Sequence, residues 1–594
     1  MSEGNRDVFE SSTGGDSAAA GGSSPVAAVE PAWLGTPRDG VKDTVESIII
    51  AFILAFVFRA FVVEAFVIPT GSMAPTLYGA HGTIVCGDCG TEFAYGLHDL
   101  STPHRGGSLL DDRSTTTCPN CNYKNRNLLV NDRARNAESG DRILVLKWPF
   151  DFGGAGFGAH RWDVAVFKDP ADGTTNFIKR LVGMPEEVLM IVDGDLYTVP
   201  ASSLSDEARE ELGRLVVEKH ERISGLQSGP VPAAPEWVLE ELDEKLTIQR
   251  KTTVAQNVLW TLHHDHDHPP RRGGRDVPQW VSRSEQTGWD TSRRTVRFRD
   301  AGIDEDFIYL AHKPLDAARA YNSGTGFPRK QPVADVRVRF VIAAKEDGGF
   351  VRIRLAKREK AFWATLFMDG RVTLCESSFE PDESTPIIGE TQLEEFMSRG
   401  PVEVSLENVD YRVSLSIGGE EVLSTTSDPS SPAYYGPDVR RLRLARNQGP
   451  VDPPRIQASG ASLDLSHLVI EKDVYYYQPN RNRLRGDVSW PRSHGSSRGW
   501  GTANNPIYLR AGEYFVLGDN SDFSKDSRLW DEVGPHLTGR GAAYQLGTVP
   551  EDQLIGRAFF VYWPSGHRIK WLKAVPKVGQ VGIVPDVGRM RWIR

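Results

Sequence analysis

Two residue types in this chain could do chemistry together if the fold joins them: a serine in a tight turn and a lysine inside an apolar run. Ser72 lies in IPTGSMAPTLYGA (68–80), a Gly- and Pro-punctuated stretch that begins where a run of apolar residues stops. Lys179 lies much later, in NFIKRLVGMPEEVLMI (176–191). A serine hydroxyl is a poor nucleophile until a base takes its proton. Apolar surroundings drive a lysine toward its neutral form, which is the form a general base needs. Strand alternation places Phe177, Lys179 and Leu181 on one face, with Ile178, Arg180 and Val182 on the other, so the two adjacent basic residues need different explanations. Lysines at strand edges commonly snorkel to water, so Lys179 alone does not establish catalysis.

A second chemistry is written in cysteine. CGDCG (86–90) and CPNCN (118–122) give Cys86-x2-Cys89-x28-Cys118-x2-Cys121. Paired C-x2-C knuckles suit tetrahedral Zn²⁺, because each short turn aims two thiolates at one ion. Gly90 and Asn122 follow the second cysteine of each pair, and both residue types tolerate a left-handed turn. Four thiolates leave no open position, so the metal would be structural. Two disulfides are the alternative in an oxidising compartment. The fifth cysteine, Cys375 in TLCESS, reads as a packed strand residue. HHDHDHP (263–269) could bind metal by composition, but its continuation into DHPPRRGGR favours a solvated loop.

These groups need elements to hold them. Hydrophobic residues make up 39% and charged residues 25% of the 594, so most of the chain should fold as globular protein. The net charge of −10 argues against nucleic acid as a partner. Residues 1–46 are rich in Ser, Gly and Ala, with eight acidic and three basic residues, and read as a disordered tail. SIIIAFILAFVFRAFVVEAFVIP follows, and residues 47–68 suit one helix spanning roughly 30 Å of bilayer. Arg59 and Glu64 fall in its last third, where long side chains reach the interface. A cleavable leader fits less well, since the basic amino-terminal region and short apolar core are wrong for one. Charge does not set the orientation, because the tail is acidic.

The rest reads as mainly β. GDRILVLKWPF (140–150), HRWDVAVFKDP (160–170) and NFIKRLVGMPEEVLMI are Val/Ile/Leu/Phe runs bounded by Gly, Pro or Asp, as strands are. SDEAREELGRLVVEKHERI reads as a helix within a mixed segment 196–289 that also holds the His-rich loop. Over 290–476 short alternating stretches recur, from RTVRFRD through DVRVRFVIAA, FWATLFMDGRVTLCE and RRLRLA to LDLSHLVIEKDVYYY. They point to an antiparallel jelly-roll sandwich of the concanavalin or laminin-G type. Such sandwiches often bind glycans or proteins, but fold alone does not assign a ligand. Residues 477–504 read as a linker. The basic segment 566–594, with Trp571 and Trp592, could touch an anionic membrane surface.

The order of the pieces carries more than any one of them. An apolar anchor, then GSMAPTL, GDRILVLK, FIKRLVGMPEE and LGDNSDFSKDSR (517–528) resembles type I signal peptidases, membrane-bound serine proteases that remove signal peptides. The resemblance implies an antiparallel β catalytic domain built from 69–84, 123–195 and 505–565, interrupted by a zinc ribbon (85–122) and the sandwich. It implies Ser72 as nucleophile and Lys179 as general base, with no histidine and no cofactor needed for catalysis. It implies an oxyanion hole from the Ser72 N–H and the Thr70 hydroxyl, and Ser524 as a hydroxyl orienting the lysine. Asp519 would pair with Arg180, and Asp526 with Arg528. Phe66, Ile68, Met73, Leu77 and Ile178 would line two shallow pockets that admit small residues at −1 and −3 of a preprotein substrate. Ser521 departs from the commoner GDNRD. The implied setting is a single-pass protein of the cell membrane with its catalytic domain on the exported side, the bilayer and signal-peptide-bearing preproteins being its partners. The alternative is a catalytically retired scaffold whose sandwich binds glycan or protein.

Overall fold

The computed structural model describes residues 40–96, 115–126, 138–152, 158–223, 232–271, 279–300, 302, 306–311, 313–325, 331–345, 348–394, 400–445, 449, 451–477, 499–530, 532–565 and 585–593. Strand dominates them. The tail 1–39, most of the linker 477–504, and the basic segment including Trp571 lie outside the described residues.

A 22-residue helix, Gly40–Phe61, is long and apolar enough to cross a membrane, with a mean hydropathy of 2.1. At about 1.5 Å per residue it is about 33 Å long. Its bounds differ from the 47–68 read from the sequence. It starts earlier, in residues assigned to the tail, where Thr44 and Ser47 hydroxyls donate to the carbonyls of Gly40 and Asp43. It ends earlier because Val63–Val67 leaves it to pair as a strand with Arg142–Leu146, register Val63↔Leu146 to Val67↔Arg142. β-Branched and aromatic residues favour such a half-buried strand once a partner edge is available. Glu64 is therefore not helical. It pairs with Lys147 at 2.7 Å.

The sheet this strand joins has the order Val63–Val67, Arg142–Leu146, Leu554–Trp563, Val164–Lys168, Asn176–Gly183, Glu513–Leu517 and Val549–Pro550, with Arg591–Trp592 also on Leu554–Trp563. Every pairing is antiparallel. A second sheet runs Thr247–Ile248, Asp195–Pro200, Glu187–Val192, Ile507–Leu509. Its central hairpin turns on Asp193-Gly194, both at positive φ (55° and 90°), the dipeptide that a two-residue hairpin favours. Asn176–Gly183 and Glu513–Leu517 are neighbours although the whole insertion lies between them in the chain.

That insertion begins with the helices Asp206–Ile223 and Glu236–Lys245 and continues as two facing sheets. Among the described residues one has eight strands and the other seven, around a core that includes Trp280, Phe298, Phe340, Phe362 and Leu406. Cys375 is buried in the strand Arg371–Glu376. Three details differ from the sequence reading. The sandwich starts before 290, because Thr261–Asp265 and Trp280–Ser282 are already strands within its sheets. HHDHDH is no solvated loop: His263 and His264 lie in the first of these strands, and they and His266 are buried. RRLRLA is not a strand but part of the helix Val439–Leu444, whose cap Asp438 accepts from the Arg441 N–H. Buried ion pairs hold the insertion together, and the Lys357–Asp195 pair ties the sandwich to the second sheet. Lys357 reaches Asp195 and Asp335 at 2.9 and 2.5 Å, and Lys251 reaches Asp410 and Asp473 at 2.6 and 2.8 Å.

Candidate active site

Ser72 sits in a single 3₁₀ turn, Gly71–Met73, entered from an extended Thr70. Lys179 is on the interior strand Asn176–Gly183. The fold brings them together: Lys179 Nζ lies 2.9 Å from Ser72 Oγ and donates to the Ile178 carbonyl at 2.9 Å. Both are buried, with 8% and 5% exposure. Burial pushes the Lys179 amine down to about 8, against the pull of Asp526, Asp519 and Asp169. An amine so placed is about one-tenth neutral at pH 7, far more than an ordinary lysine, and the lone pair of that form can accept the serine proton. Thr70 Oγ1 is 3.5 Å from Ser72 Oγ, at the outer limit of a hydrogen bond.

The support groups surround this pair. Arg180, on the opposite face of the strand, makes two bonds to Asp519 at 2.7 and 2.6 Å and also donates to the Trp162 carbonyl and Thr76 Oγ1. Asp526 accepts from Arg528 at 2.9 and 2.8 Å and from the Gly518 N–H at 3.0 Å. Ser521, the departure from GDNRD, accepts from Arg528 at 3.0 Å, while Arg528 also donates to the Tyr477 carbonyl at 2.9 Å. Ser524 is buried beside the Ser72 turn but makes no hydrogen bond to Lys179, and its Oγ has no partner among the described residues. Gly518 permits this closeness. A Cβ there would come within 2.2 Å of Ser524 Oγ and 2.6 Å of the Ser72 carbonyl oxygen.

Of the five residues expected to line the pockets, Ile68, Met73 and Leu77 are fully buried in one cluster with Ile143, Val145 and Val164. Phe66 and Ile178 are half-buried against it.

Several residues at the site carry no signal in the sequence reading. The Asn520 N–H donates to the Ser72 carbonyl and its amide to the Gly71 carbonyl, both at 3.0 Å. Arg591 donates to the carbonyls of Pro75 and Thr76, and Arg589 binds Asp141 at 3.0 Å, so these two cations of the basic carboxy-terminal segment are held internally. Arg319, Tyr321 and Asn322 arrive from the insertion. No motif announces them, since their contacts depend on how a separate module docks.

Cys86, Cys89, Cys118 and Cys121 converge with all Sγ atoms within 4.8 Å of one another, and the pairs Cys86–Cys121 and Cys89–Cys118 are 3.6 Å apart. A disulfide needs about 2.05 Å. Tetrahedral ligation at about 2.3 Å per thiolate puts sulfurs about 3.8 Å apart, so this cluster could hold a structural metal. Gly90 and Asn122 take positive φ (80° and 60°), and the Asn120 and Asn125 amides approach Cys89 and Cys86 at 3.8 and 3.9 Å. The buried histidines do not join a metal-ligand cluster among the described residues.

A family model described as "Signal peptidase, peptidase S26" matches residues 455–563. This span holds Asp519, Ser524, Asp526 and Arg528, whereas Ser72 and Lys179 lie outside it. Signal peptidase I of Pseudomonas fluorescens is 38% identical over 76 residues, covering 12% of this chain and 23% of that protein. Signal peptidase I of Pseudomonas aeruginosa is 36% identical over 78 residues, covering 13% and 24%. The chain thus spans about a quarter of the length of the curated relatives it matches. Among solved structures, the carbohydrate binding module CBM66 from Bacillus subtilis aligns at 11% identity over 33% of this chain and 96% of that one, with a TM-score of 0.21. The VIP36 exoplasmic/lumenal domain aligns at 10% identity over 35% and 87%, also at 0.21. Scores this low carry no conclusion about ligands.

Proposed function

We propose that this chain, a member of the type I signal peptidase family, is a membrane-tethered serine endopeptidase that removes signal peptides from exported preproteins. The observation that carries the proposal is the 2.9 Å approach of a buried lysine amine to a buried serine hydroxyl in a turn. Neutral Lys179 takes the Ser72 proton as Oγ attacks the scissile carbonyl. The oxyanion that forms is held by the Ser72 N–H and the Thr70 hydroxyl, donors of a kind commonly worth about 3–4 kcal/mol of barrier. Protonated Lys179 then gives its proton to the leaving amine, and a water activated by the same lysine releases the acyl-enzyme. Asp519–Arg180 and Asp526–Arg528 fix the segments that bear these groups. The unpartnered Ser524 hydroxyl is available to the ammonium form of Lys179 after a rotamer change.

Phe66 and Ile178 would meet the substrate, with Ile68, Met73 and Leu77 behind them. Pockets backed by a close-packed core reject large side chains at −1 and −3 because overpacking is costly. The helix Gly40–Phe61 would tether the enzyme to the membrane that carries its substrates, with the catalytic domain on the exported side. The four cysteines would hold a structural Zn²⁺, and metal analysis of the purified protein should return one equivalent that Cys118→Ser removes. The intact dyad weighs against a retired scaffold. In a preprotein cleavage assay, wild type should cut while Ser72→Ala and Lys179→Ala should not; equal cutting by all three would reject the mechanism.

A further inference from the structure

The sandwich module does more at the site than share a chain with it. Its segment Arg319–Asn322 inserts between the nucleophile turn, the Asp519-Asn520 loop and the cysteine ribbon. Arg319 Nη1 donates to the carbonyls of Ala74 (3.0 Å) and Asp519 (2.7 Å), clamping the two loops that carry Ser72 and the partner of Arg180. Asn322 and Asn520 exchange reciprocal amide bonds at 2.6 and 2.9 Å, and both side chains are buried. Asn520 in turn holds the carbonyls of Gly71 and Ser72. The Tyr321 ring covers Gly71, where a Cβ would come within 2.4 Å of it, and stacks on Tyr78 at 5.5 Å and 17°. On the far side, Ala320 packs against the four-cysteine cluster.

A one-turn 3₁₀ segment has little internal bonding, so external partners must set where Ser72 Oγ stands. We infer that Arg319, Tyr321 and Asn322 of the inserted module are positioning residues that hold the Ser72 turn in register with Lys179. The inference rests on the peptidase reading for its catalytic consequence, but the bracing itself can be measured without it. Misplacing a reacting atom by about 1 Å can cost on the order of 100-fold.

The test uses the full-length protein in detergent, with Asn322→Ala, Asn520→Ala, the double variant, Arg319→Ala and Arg319→Lys. Two readouts are made: steady-state cleavage of a preprotein, and hydrogen–deuterium exchange of peptides covering 70–80. Asn322→Ala and Arg319→Ala should lower kcat roughly 10- to 100-fold while KM stays within about twofold, with faster exchange confined to 70–80 and 518–524. The double variant should be no worse than Asn520→Ala alone, because the two amides act as one coupled unit. Arg319→Lys, which keeps the charge but loses the fork, should recover part of the rate. Folded variants with kcat within about twofold of wild type overturn the inference. Should the wild type itself cut nothing, the peptidase reading falls, and unchanged exchange at 70–80 in the variants is then the result that overturns the bracing.

Discussion

At the scale of single residues, the proposed mechanism draws on an amine whose neutral form is made accessible by burial, while several neighbouring charges are paired. Lys179 is depressed to about 8 by burial, and the proposed mechanism uses its neutral form as the base. Activity should therefore rise with pH and level off above about pH 8, falling about tenfold for each unit below it; a single-turnover pH–rate profile that stays flat through the acid range would contradict this. The opposite holds for Arg180, which burial disfavours as a cation but which Asp519 keeps charged. Both members of that pair are fully buried. Arg180→Ala would leave an uncompensated carboxylate in the interior and should destabilise the protein by about 3–5 kcal/mol in denaturant titration. Much of this was readable beforehand. The motifs put Ser72 and Lys179 forward as partners and set Arg180 against Asp519, and these side chains do meet. The expected Ser524–lysine bond is not made, because hydroxyl rotamers follow local packing that no motif encodes.

Turns and strands decide how close those groups come. Gly518 lies where the Asp519-Asn520 loop passes the Ser72 turn, and any side chain there meets Ser524 and the Ser72 carbonyl. Gly518→Ala should cut kcat on the order of 100-fold while leaving the sandwich intact, checked by kinetics alongside a far-UV spectrum. Alternating apolar residues made most sandwich strands legible, since a period of two exposes one face to the core. The failures have local causes. RRLRLA alternates like a strand, yet its backbone is recruited to a helix by the Asp438 cap and by Arg443 bound to Asp243 and Glu236. The histidines look polar on paper, but strand pairing with Ser462–Lys472 draws them inside, and burial keeps His263 and His264 well below their usual range and so neutral. The helix bound shifted because Val63–Val67 had a sheet edge to join, a long-range fact invisible to a hydropathy window.

On the scale of the whole molecule, an apolar helix precedes a body in which the sandwich is joined to the second sheet by the Lys357–Asp195 pair and to the cysteine ribbon and the Ser72 turn by the Arg319–Asn322 segment. Removing residues 1–58 should leave cleavage of a detergent-solubilised preprotein within about threefold of the full chain, but slow cleavage of a vesicle-embedded one by roughly 100-fold, the loss expected when tethering no longer raises local concentration. Equal rates on both substrates would show that the helix is dispensable for encounter. The bond from Arg180 to Asp519 spans 339 positions, and one of the two strands flanking that of Lys179 belongs to the far side of the insertion. Contacts so distant in sequence form late. Until the intervening module has been synthesised, the Ser72 turn lacks the Asn520 loop that braces it and Arg180 lacks its carboxylate partner, although the Lys179 strand already has Val164–Lys168 beside it. A chain cut short before Glu513 would therefore carry Ser72 and Lys179 without the loop and the carboxylate that support their surroundings.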